Sequence, residues 1–240
     1  AKFQFAEMEV DFVGFKVSAT GVRPTDSFIE TILSFPSPTN ITDVRSWFGV
    51  VNQVSYSFAS CPVMEPFRHL LSNKVPFAWS TELENAFQAS KTEIVRQCTQ
   101  GVRMFDPTLP TCLATDWAKF GVGYWLCQKR CACQGTTPGC CPTGWQTITV
   151  GSRFCTQAEQ NYAPIEGEAM ATAWAAHKCR YFLLGLPLFA LAVDHKPLIP
   201  LLSNKSLDLV TNPRIMNQRI KLLPYSYRVV HVPGKANVTP

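Results

Sequence analysis

Apolar and polar positions follow different patterns in the two parts of the chain, and the first part is predicted to be mostly helical. A hairpin is predicted near the start, with strands at residues 10–13 and 15–18. Helices are predicted after Pro24, after Asn40 and over residues 81–96. In the second helix the apolar residues recur at helical spacing on one face, at Val44, Trp47, Phe48, Val51 and Val54. These elements predict a small helical subdomain that follows a hairpin.

Turn signals at Pro107 and Pro110 separate this part from a second one, in which strands and helices are mixed. The predicted strands cover residues 111–116, 121–126, 146–152, 188–193 and 227–232. The predicted helices cover residues 156–184, 196–202 and 213–223, and the first of them is rich in alanine. This order predicts an α/β fold, in which a mixed sheet carries helices on its faces.

Composition and charge favour a folded protein whose second part binds a polyanion. Hydrophobic residues make up 46% of the 240 residues and charged residues 16%, which is enough apolar material for packed cores. Residues 1–106 have nine basic and eleven acidic side chains, hence a net charge of −2, whereas residues 107–240 have thirteen and six, hence +7. The second part is therefore expected to attract nucleic acid, although a solubilising surface would carry the same charge. The longest apolar run, residues 181–193, is too short to span a membrane.

Three acids of the second part occupy positions that suit a metal site. Asp116 ends the first predicted strand, Asp194 ends the fourth, and Glu168 lies in the alanine-rich helix between them. Strand ends of this kind are where open α/β sheets hold their sites. Paired Mg²⁺ ions take carboxylate oxygens as ligands, so these three residues are candidate ligands. The alternative is that acids at strand ends are ordinary turn residues.

Glu166 is the rival of Glu168 for the helix position. Residues two apart on a helix point about 200° away from each other, so the two carboxylates cannot face one site. Glu166 is therefore expected to be a solvated acid of the first helical turn, where the helix dipole favours a negative charge.

Five of the ten cysteines fall within residues 127–141. Four of them, Cys131, Cys133, Cys140 and Cys141, offer enough thiols for a structural Zn²⁺ site. Their spacing is not a common zinc signature, and the alternative is a hairpin insert of reduced or locally disulfide-linked thiols. The clustering, together with an N-terminus that lacks the pattern of a signal peptide, predicts an intracellular protein.

Short sequence blocks occur along the chain in a fixed order. The second part contains T-D at 115–116, G-V-G at 121–123, V-G-S-R at 150–153, A-E-Q-N-Y at 158–162, E-G-E-A-M-A at 166–171, V-D-H-K-P-L at 193–198 and H-V-P-G-K-A-N-V at 231–238. The first part contains F-V-G at 12–14, G-V-R-P at 21–24 and R-S-W-F-G at 45–49. In sequence and in order, these blocks resemble the pol polyprotein of Ty3/gypsy-type LTR retrotransposons, over essentially the whole chain.

The resemblance implies three regions. Residues 1–22 would be the end of a reverse transcriptase palm with its primer-grip hairpin, and residues 23–104 the thumb and a linking helix. Residues 105–240 would be an RNase H-like domain with a mixed five-stranded sheet and flanking helices. The fingers and most of the palm are not among these blocks, and no Y-x-D-D-type motif occurs, so no polymerase active site is expected in this chain.

The activity implied by the resemblance is hydrolysis of the RNA strand of an RNA–DNA hybrid with two Mg²⁺ or Mn²⁺ ions. Asp116, Glu168 and Asp194 would be three of the four metal-binding carboxylates. The fourth belongs to an A-D-A-L-S-R motif that would begin just past Pro240, so the domain is expected to be truncated before its final motif. Trp117 replaces a small residue of the family and is expected to crowd the site.

The resemblance also implies partners and a place of action. The chain would contact the hybrid and template–primer nucleic acid, and the remaining fingers and palm of the enzyme. The side chains expected to contact nucleic acid are Arg45, Lys178, Arg180, His195, Arg214 and Arg219. The place of action would be the cytoplasm, in a virus-like particle, or the nucleus. Two alternatives remain open: a module that binds hybrid without cutting it, and a decayed or domesticated fragment.

Overall fold

The structure is a computed structural model that describes residues 7–72, 76–135, 138, 140–141, 143–203 and 206–233. The end of the last sequence block, residues 234–238, and Pro240 lie outside the described residues. The chain divides into two compact units, residues Ala1–Met104 and Phe105–Pro240. No helix in the described ranges has the length and apolar character needed to cross a membrane.

The first unit combines a small antiparallel sheet with helices. Its elements in chain order are strands β1 (Glu9–Phe12), β2 (Phe15–Ser18) and β3 (Gly21–Pro24), helices α1 (Asp26–Leu33), α2 (Ile41–Val54), α3 (Ser60–Met64) and α4 (Thr81–Cys98), and strand β4 (Val102–Arg103). The strands pair in the order β1-β2-β3-β4. Val13 and Gly14 both have positive φ, as a tight two-residue hairpin turn requires, so the predicted hairpin is present.

The helices of the first unit begin where the sequence predicts them. The side chains of Thr25, Asn40 and Ser80 each accept a hydrogen bond from a backbone N–H of the first turn. The third helix is two residues longer than predicted and ends at Cys98. Strand β3, predicted as a turn at its start, and the helical segment from α3 through the 3-10 turn Glu65–Leu71 were not predicted.

The second unit has the predicted order of strands and helices. Its elements are β5 (Thr111–Trp117), β6 (Gly121–Lys129), β7 (Trp145–Phe154), α5 (Pro164–Lys178), α6 (Arg180–Leu183), β8 (Phe189–Val193), α7 (Leu198–Leu202), α8 (Pro213–Leu222) and β9 (Tyr227–His231), with 3-10 turns at Glu159–Asn161 and Leu207–Leu209. The five strands pair in the order β7-β6-β5-β8-β9. The pairs among β5, β6 and β7 are antiparallel, and those among β5, β8 and β9 are parallel, so the sheet is mixed.

The helix predicted over residues 156–184 is shorter, because Pro164 does not fit inside a helix and local contacts hold the segment before it in a turn. Helix α5 begins only at Pro164, a residue suited to the first helical position, and ends at Lys178 before the short helix α6. Before it, the Arg153 guanidinium forms two hydrogen bonds of 2.7 and 2.6 Å with the Glu159 carboxylate. This ion pair ties the segment after β7 into a turn, which keeps it out of the helix.

Helix α5 is buried along most of its length and packs on the centre of the sheet. Its small residues Ala169, Ala173 and Ala176 lie in the main core with Leu113 of β5 and Leu191 of β8. Small side chains let a helix approach a sheet closely, and this close approach fixes the position of α5 over β5.

Candidate metal centre

Two of the three predicted acids are brought together by the register of parallel strands. The last paired residues of β5 and β8 are Ala114 and Ala192. Asp116 and Asp194 each come two residues later, so they lie at the same level and on the same side of neighbouring strands. Neighbouring strands are about 4.8 Å apart, which leaves the two carboxylates close to each other.

The third acid comes from helix α5, which is held over β5 by polar contacts in an otherwise apolar interface. The Glu168 Oε1 atom accepts a hydrogen bond of 3.3 Å from the backbone N–H of Trp117. One helical turn later, the Thr172 hydroxyl lies 3.3 Å from the Thr115 hydroxyl, and both residues are fully buried. Thr115 and Thr172 therefore fix the helix against the strand beside Asp116 and Glu168. The sequence did not reveal this role, because both threonines fit an ordinary strand and helix.

Carboxylate oxygens of Asp116, Glu168 and Asp194 all lie within 4.8 Å of one another. Asp116 is exposed, Asp194 is half-buried, and Glu168 is only 5% exposed. The cluster is thus open to solvent on the side of Asp116 and closed on the side of Glu168. A substrate or ion would reach it from the Asp116 side.

Burial and mutual repulsion make this cluster unfavourable when all three acids are ionised. Burial, and then the charges of Asp194 and Asp116, raise the pKa of Glu168 from 4.5 to about 8. Although the Asp116 side chain reaches solvent, the surrounding protein and the Asp194 charge raise its pKa as well. At neutral pH the cluster therefore either holds a proton on Glu168 or requires a compensating cation.

The donor set fits a hard divalent cation. The Glu168 Oε2 atom is buried and has no hydrogen-bond partner within the described part of the chain. An unpartnered buried carboxylate oxygen is costly, and a bound cation would remove that cost. Three carboxylates that share one point and reach solvent on one side match the oxygen ligands and the open coordination that Mg²⁺ prefers.

Glu166 lies in the first turn of α5, as predicted, but it is not solvated. It is 9% exposed, and its carboxylate accepts hydrogen bonds from the Asn212 amide at 2.8 Å and the Arg214 guanidinium at 2.9 Å. The hydrogen bond from Asn212, followed by those from Arg214 and the Ala163 backbone, lowers the pKa of Glu166 against the effect of its burial. The prediction of a solvated acid was wrong because residues distant in sequence cover this turn and supply its partners.

The Trp117 ring lies against helix α5. A Cβ atom added to Gly167 would come within 2.2 Å of the ring atom Cδ2, so the ring occupies the space that a side chain would fill. The ring also packs on a small apolar cluster that contains Val122, Cys155 and Ala171. Its indole Nε1 is buried without a partner among the described residues. The glycine of the E-G-E block thus accommodates the tryptophan that follows Asp116.

The residues predicted to contact nucleic acid are spread over several elements. His195 directly follows Asp194 and is half-buried, while Arg45 is exposed on α2 of the first unit. Lys178 is exposed ten residues after Glu168, which is about 15 Å along the helix axis. The Arg180 guanidinium lies 4.3 Å from the exposed ring of Tyr181.

Helix α8 carries the other two candidates. Arg214 pairs with Glu166 and lies 4.9 Å from the ring centre of Tyr162, and Arg219 is half-buried about 7.5 Å further along the helix. The guanidinium of Arg214 therefore already serves the packing of α8 on α5.

The four cysteines predicted as zinc ligands also come together. Their Sγ atoms lie within 4.8 Å of one another in the loop between β6 and β7. This loop is at the opposite end of the sheet from the carboxylates, because Gln128 pairs with Thr111 while Gly123 pairs with Asp116.

Comparison with known proteins places this geometry in context. Residues 106–225 match the model of a family described as the RNase H-like domain found in reverse transcriptase. The retrovirus-related Pol polyproteins of the Drosophila melanogaster transposons opus and gypsy are 25% and 26% identical over 99% and 98% of the chain. The transposon Tf2-3 polyprotein of Schizosaccharomyces pombe is 25% identical over 99%. The chain spans only 23%, 22% and 17% of the lengths of these relatives. These matches confirm the resemblance found in the sequence.

Solved structures with a similar fold include two of a foamy viral protease–reverse transcriptase. The structure in complex with an RNA/DNA hybrid has a TM-score of 0.71 and 16% identity, and covers 97% of this chain and 31% of that one. A second structure, in complex with double-stranded DNA, has a TM-score of 0.69 and 15% identity, with 93% and 38% covered. The similarity concerns the fold and confirms the predicted fold class.

Proposed function

The chain belongs to the family of RNase H-like domains found in reverse transcriptases, and from this premise we propose that it cuts the RNA strand of an RNA–DNA hybrid. The reaction is phosphodiester hydrolysis with two divalent ions, Mg²⁺ or Mn²⁺, held by Asp116, Glu168 and Asp194. The chain acts as part of a retrotransposon reverse transcriptase, in the cytoplasm or the nucleus. In this assignment the first unit holds the end of the palm and the thumb, and its partners are the remaining palm and fingers.

One observation carries the proposal: a buried oxygen of Glu168 has no hydrogen-bond partner among the described residues and belongs to a group of three carboxylates within 4.8 Å of one another. A turn acid would point to solvent and keep an ordinary pKa, whereas the pKa of Glu168 is raised to about 8. A strongly perturbed carboxylate in an acidic cluster at strand ends is typical of a functional site. The observation thus favours a cation site over ordinary turn residues.

Each carboxylate has a distinct task in the proposed reaction. When bound, the paired ions lower the pKa of the attacking water and stabilise the leaving oxygen. Asp116, on the open side, would contact both ions, and Asp194 would hold one of them. Glu168 would hold the other and orient the water, and the proton that burial favours on Glu168 would leave when the ions bind. The Thr115–Thr172 contact keeps Glu168 in register with Asp116.

The basic surface would supply affinity for the substrate. Hybrids are recognised by their shape, through contacts to phosphates and 2′-hydroxyl groups, so binding would be independent of sequence and sensitive to salt. Lys178 is exposed, and Arg180 is half-buried beside the exposed ring of Tyr181, so this end of α5 offers two positive charges to a phosphate backbone. His195 directly follows Asp194, and Arg214 and Arg219 of α8 would add contacts in the second unit. Arg45 of the first unit would contact nucleic acid separately.

The test is cleavage of a labelled RNA–DNA hybrid with Mg²⁺ or Mn²⁺, with RNA and DNA duplexes as specificity controls. It compares this chain with the same chain extended through the A-D-A-L-S-R motif of the family. We expect cuts at internal positions of the RNA strand of the hybrid, and no cuts in the RNA and DNA duplexes. Asp116→Asn should reduce the rate at least about 100-fold, because even outer partners of metal ligands contribute about 10- to 100-fold. The matched control Asp208→Asn, an acid outside the cluster, should cut normally.

The contrary result is equally specific. If both forms bind hybrid in a salt-dependent way and leave its RNA intact with either ion, the chain is a binding module and the nuclease proposal is wrong. Cleavage that survives Asp116→Asn would also contradict the proposal, since it would arise elsewhere or from a contaminant.

A further inference from the structure

A second cluster of metal-ligating side chains lies in the loop between β6 and β7. It consists of Cys131, Cys133, Cys140 and Cys141, and all ten cysteines of the chain are free thiols. Five residues of β5 separate the level of this loop from that of Asp116, which corresponds to about 17 Å along the strand. The thiols are therefore not part of the carboxylate cluster, and what they bind is a separate matter from the proposed nuclease activity.

The distances between the thiol sulfurs match those around a tetrahedrally coordinated ion and not those within disulfides. Every pair of Sγ atoms lies within 4.8 Å, and those of Cys131 and Cys140 are 3.6 Å apart. Four sulfurs at the usual Zn–S distance of about 2.3 Å lie about 3.8 Å from one another. A disulfide would instead bring two sulfurs to about 2.0 Å from each other. The loop thus presents four thiols around one point.

The backbone explains how adjacent cysteines face the same point. In a strand, Cys140 and Cys141 would point to opposite faces, but they lie in bends of the loop. The base of the loop is closed by a hydrogen bond of 2.8 Å from the Arg130 N–H to the Gly144 carbonyl oxygen. A Cβ atom added to Gly144 would lie 2.3 Å from Cys141 Sγ and 2.4 Å from Cys131 Sγ. The thiols therefore rest directly on Gly144, where no larger residue fits.

The charges around the loop suit a thiolate site. Four thiolates and one Zn²⁺ carry a net charge of −2, and Lys129 and Arg130 lie at the end of β6 where the loop starts. The Lys129 ammonium donates a hydrogen bond to the Cys133 carbonyl oxygen, which holds one positive charge against the loop. Thiolates select soft or borderline ions such as Zn²⁺ over Mg²⁺, so the two clusters would not compete for the same ion.

We propose that Cys131, Cys133, Cys140 and Cys141 bind one structural Zn²⁺ that fixes the loop between β6 and β7. Four protein ligands fill the tetrahedral coordination and leave no position for a substrate, so the ion stabilises and does not catalyse. Metal binding to such a loop contributes folding free energy directly, because the ion links four positions of the loop.

The test is metal content and Co²⁺ substitution in the chain purified under reducing conditions with zinc supplied. We expect about one Zn²⁺ per chain that resists dialysis. Replacement by Co²⁺ should give the near-ultraviolet thiolate charge-transfer band and the visible bands of a tetrahedral site. Cys131→Ser/Cys140→Ser should lose both the zinc and these bands. The matched control Cys61→Ser, a cysteine of the first unit, should keep them, and so should Asp116→Asn.

Other results would overturn the assignment. They are a zinc-free reduced protein whose Co²⁺ spectrum lacks thiolate bands, or disulfides mapped by mass spectrometry among the four cysteines of freshly prepared protein. If the double variant does not fold, the Co²⁺ titration of Cys61→Ser decides, because the cysteines that it retains outside the loop are all buried. Failure of hybrid cleavage would leave this result untouched, since the spectrum does not depend on activity.

Discussion

The two ends of the five-stranded sheet each gather side chains that suit a metal ion, but they are built in different ways. At one end, Asp116 and Asp194 come from paired parallel strands and Glu168 from the helix packed on them. At the other end, all four cysteines come from the one loop between β6 and β7. The first set is positioned by the fold of the whole unit, and the second by a short segment.

This difference indicates that a metal ion would have a different structural effect at each end of the sheet. The carboxylates are held together by the packing of α5 on β5 and β8, which imposes their mutual repulsion, and this repulsion contributes to the raised pKa of Glu168. The thiols belong to one loop, which is held by the hydrogen bonds from Lys129 to Cys133 and from Arg130 to Gly144 and by the close contact of two thiols with Gly144. Removal of ions should therefore leave the carboxylate end in place but destabilised by its own charge, and should loosen the thiol end.

The largest expected effect on stability comes from Glu168→Gln in buffer without Mg²⁺ or Mn²⁺. The pKa of Glu168 is raised from 4.5 to about 8 in the folded chain, so its protonated form stabilises the fold. That stability is fully present below pH 4.5 and is lost as the pH rises through 8. At pH 8 and above, Glu168→Gln should be more stable than the unaltered chain by on the order of a few kcal/mol, measured by urea unfolding.

Glu166→Gln is the matched control on the same helix. The pKa of Glu166 is lowered in the folded chain, so its contribution is present above its ordinary pKa of 4.5 and is lost as the pH falls through the lower folded value. The two substitutions should therefore have effects of opposite sign. Mg²⁺ should raise the stability of the unaltered chain and of Glu166→Gln, but much less that of Glu168→Gln. If the free energy of unfolding depends on pH in the same way for all three proteins, the carboxylates do not destabilise one another.

A smaller effect is expected from Gly167→Ala, which tests whether packing alone sets the helix position. The added Cβ atom would come within 2.2 Å of the Trp117 ring. Overpacking costs about 1–3 kcal/mol, and a contact this short favours the upper part of that range, about 2–3 kcal/mol. The better helix propensity of alanine returns about 1 kcal/mol, so a net loss of about 1–2 kcal/mol is expected. Gly49→Ala in α2, where an added Cβ atom meets nothing within 4 Å, should instead stabilise the chain. A neutral Gly167→Ala would show that the ring moves freely.

Thr115→Val should lower the free energy of unfolding by about 1 kcal/mol, because it removes a buried hydrogen bond. The two side chains have nearly the same shape, so no cavity is created. The Thr172 hydroxyl still donates to the Glu168 carbonyl oxygen at 2.9 Å, so no hydroxyl is left unpaired. The cleavage rate should fall by a larger factor than the loss of about 1 kcal/mol in stability would explain, because the helix loses its register with Asp116. Thr115→Ser keeps the hydroxyl and should restore the cleavage rate, and a Thr115→Val enzyme with an unchanged rate would refute the positioning role.

The smallest effect is expected on Mn²⁺ affinity at the carboxylates when cysteines at the opposite end of the sheet are replaced. Cys131→Ser/Cys140→Ser should leave Mn²⁺ affinity at the carboxylates within about twofold, because sites more than about 10 Å apart with no shared partners are nearly independent. Mn²⁺ binding followed by electron paramagnetic resonance measures this directly. A large loss of Mn²⁺ affinity would show that the loop and the strand ends are coupled through the sheet.

Local sequence pattern predicted the strands and the acids, because burial and turn chemistry are properties of short segments. Asp116 and Asp194 were identifiable since each ends an apolar run that later pairs in parallel. The predicted length of α5 was wrong although the sequence contains the signal for its start, because Pro164 cannot donate a hydrogen bond inside a helix and disfavours helical backbone at Ala163. Strand β3 pairs with Val102–Arg103, which lies far along the chain. The local sequence shows only the turn signal at the start of the strand, so the strand itself was not predicted.

The partners of individual side chains were beyond the sequence for the same reason. Glu166 is buried by Asn212 and Arg214 of a later helix, which no helical pattern reveals. The four cysteines have an unusual spacing, and only the fold of the loop brings their sulfurs to one point. In both cases the residue type was informative, but the geometry depended on contacts distant in sequence or on irregular backbone.

The central claim is that the two ends of the sheet bind different metals. Anomalous diffraction from crystals grown with zinc and soaked in Mn²⁺, recorded at the absorption edges of both elements, tests it most directly. The account predicts a zinc peak among Cys131, Cys133, Cys140 and Cys141, and manganese at Asp116, Glu168 and Asp194, more than about 17 Å away. Carboxylates without manganese, or thiols without zinc, would contradict it.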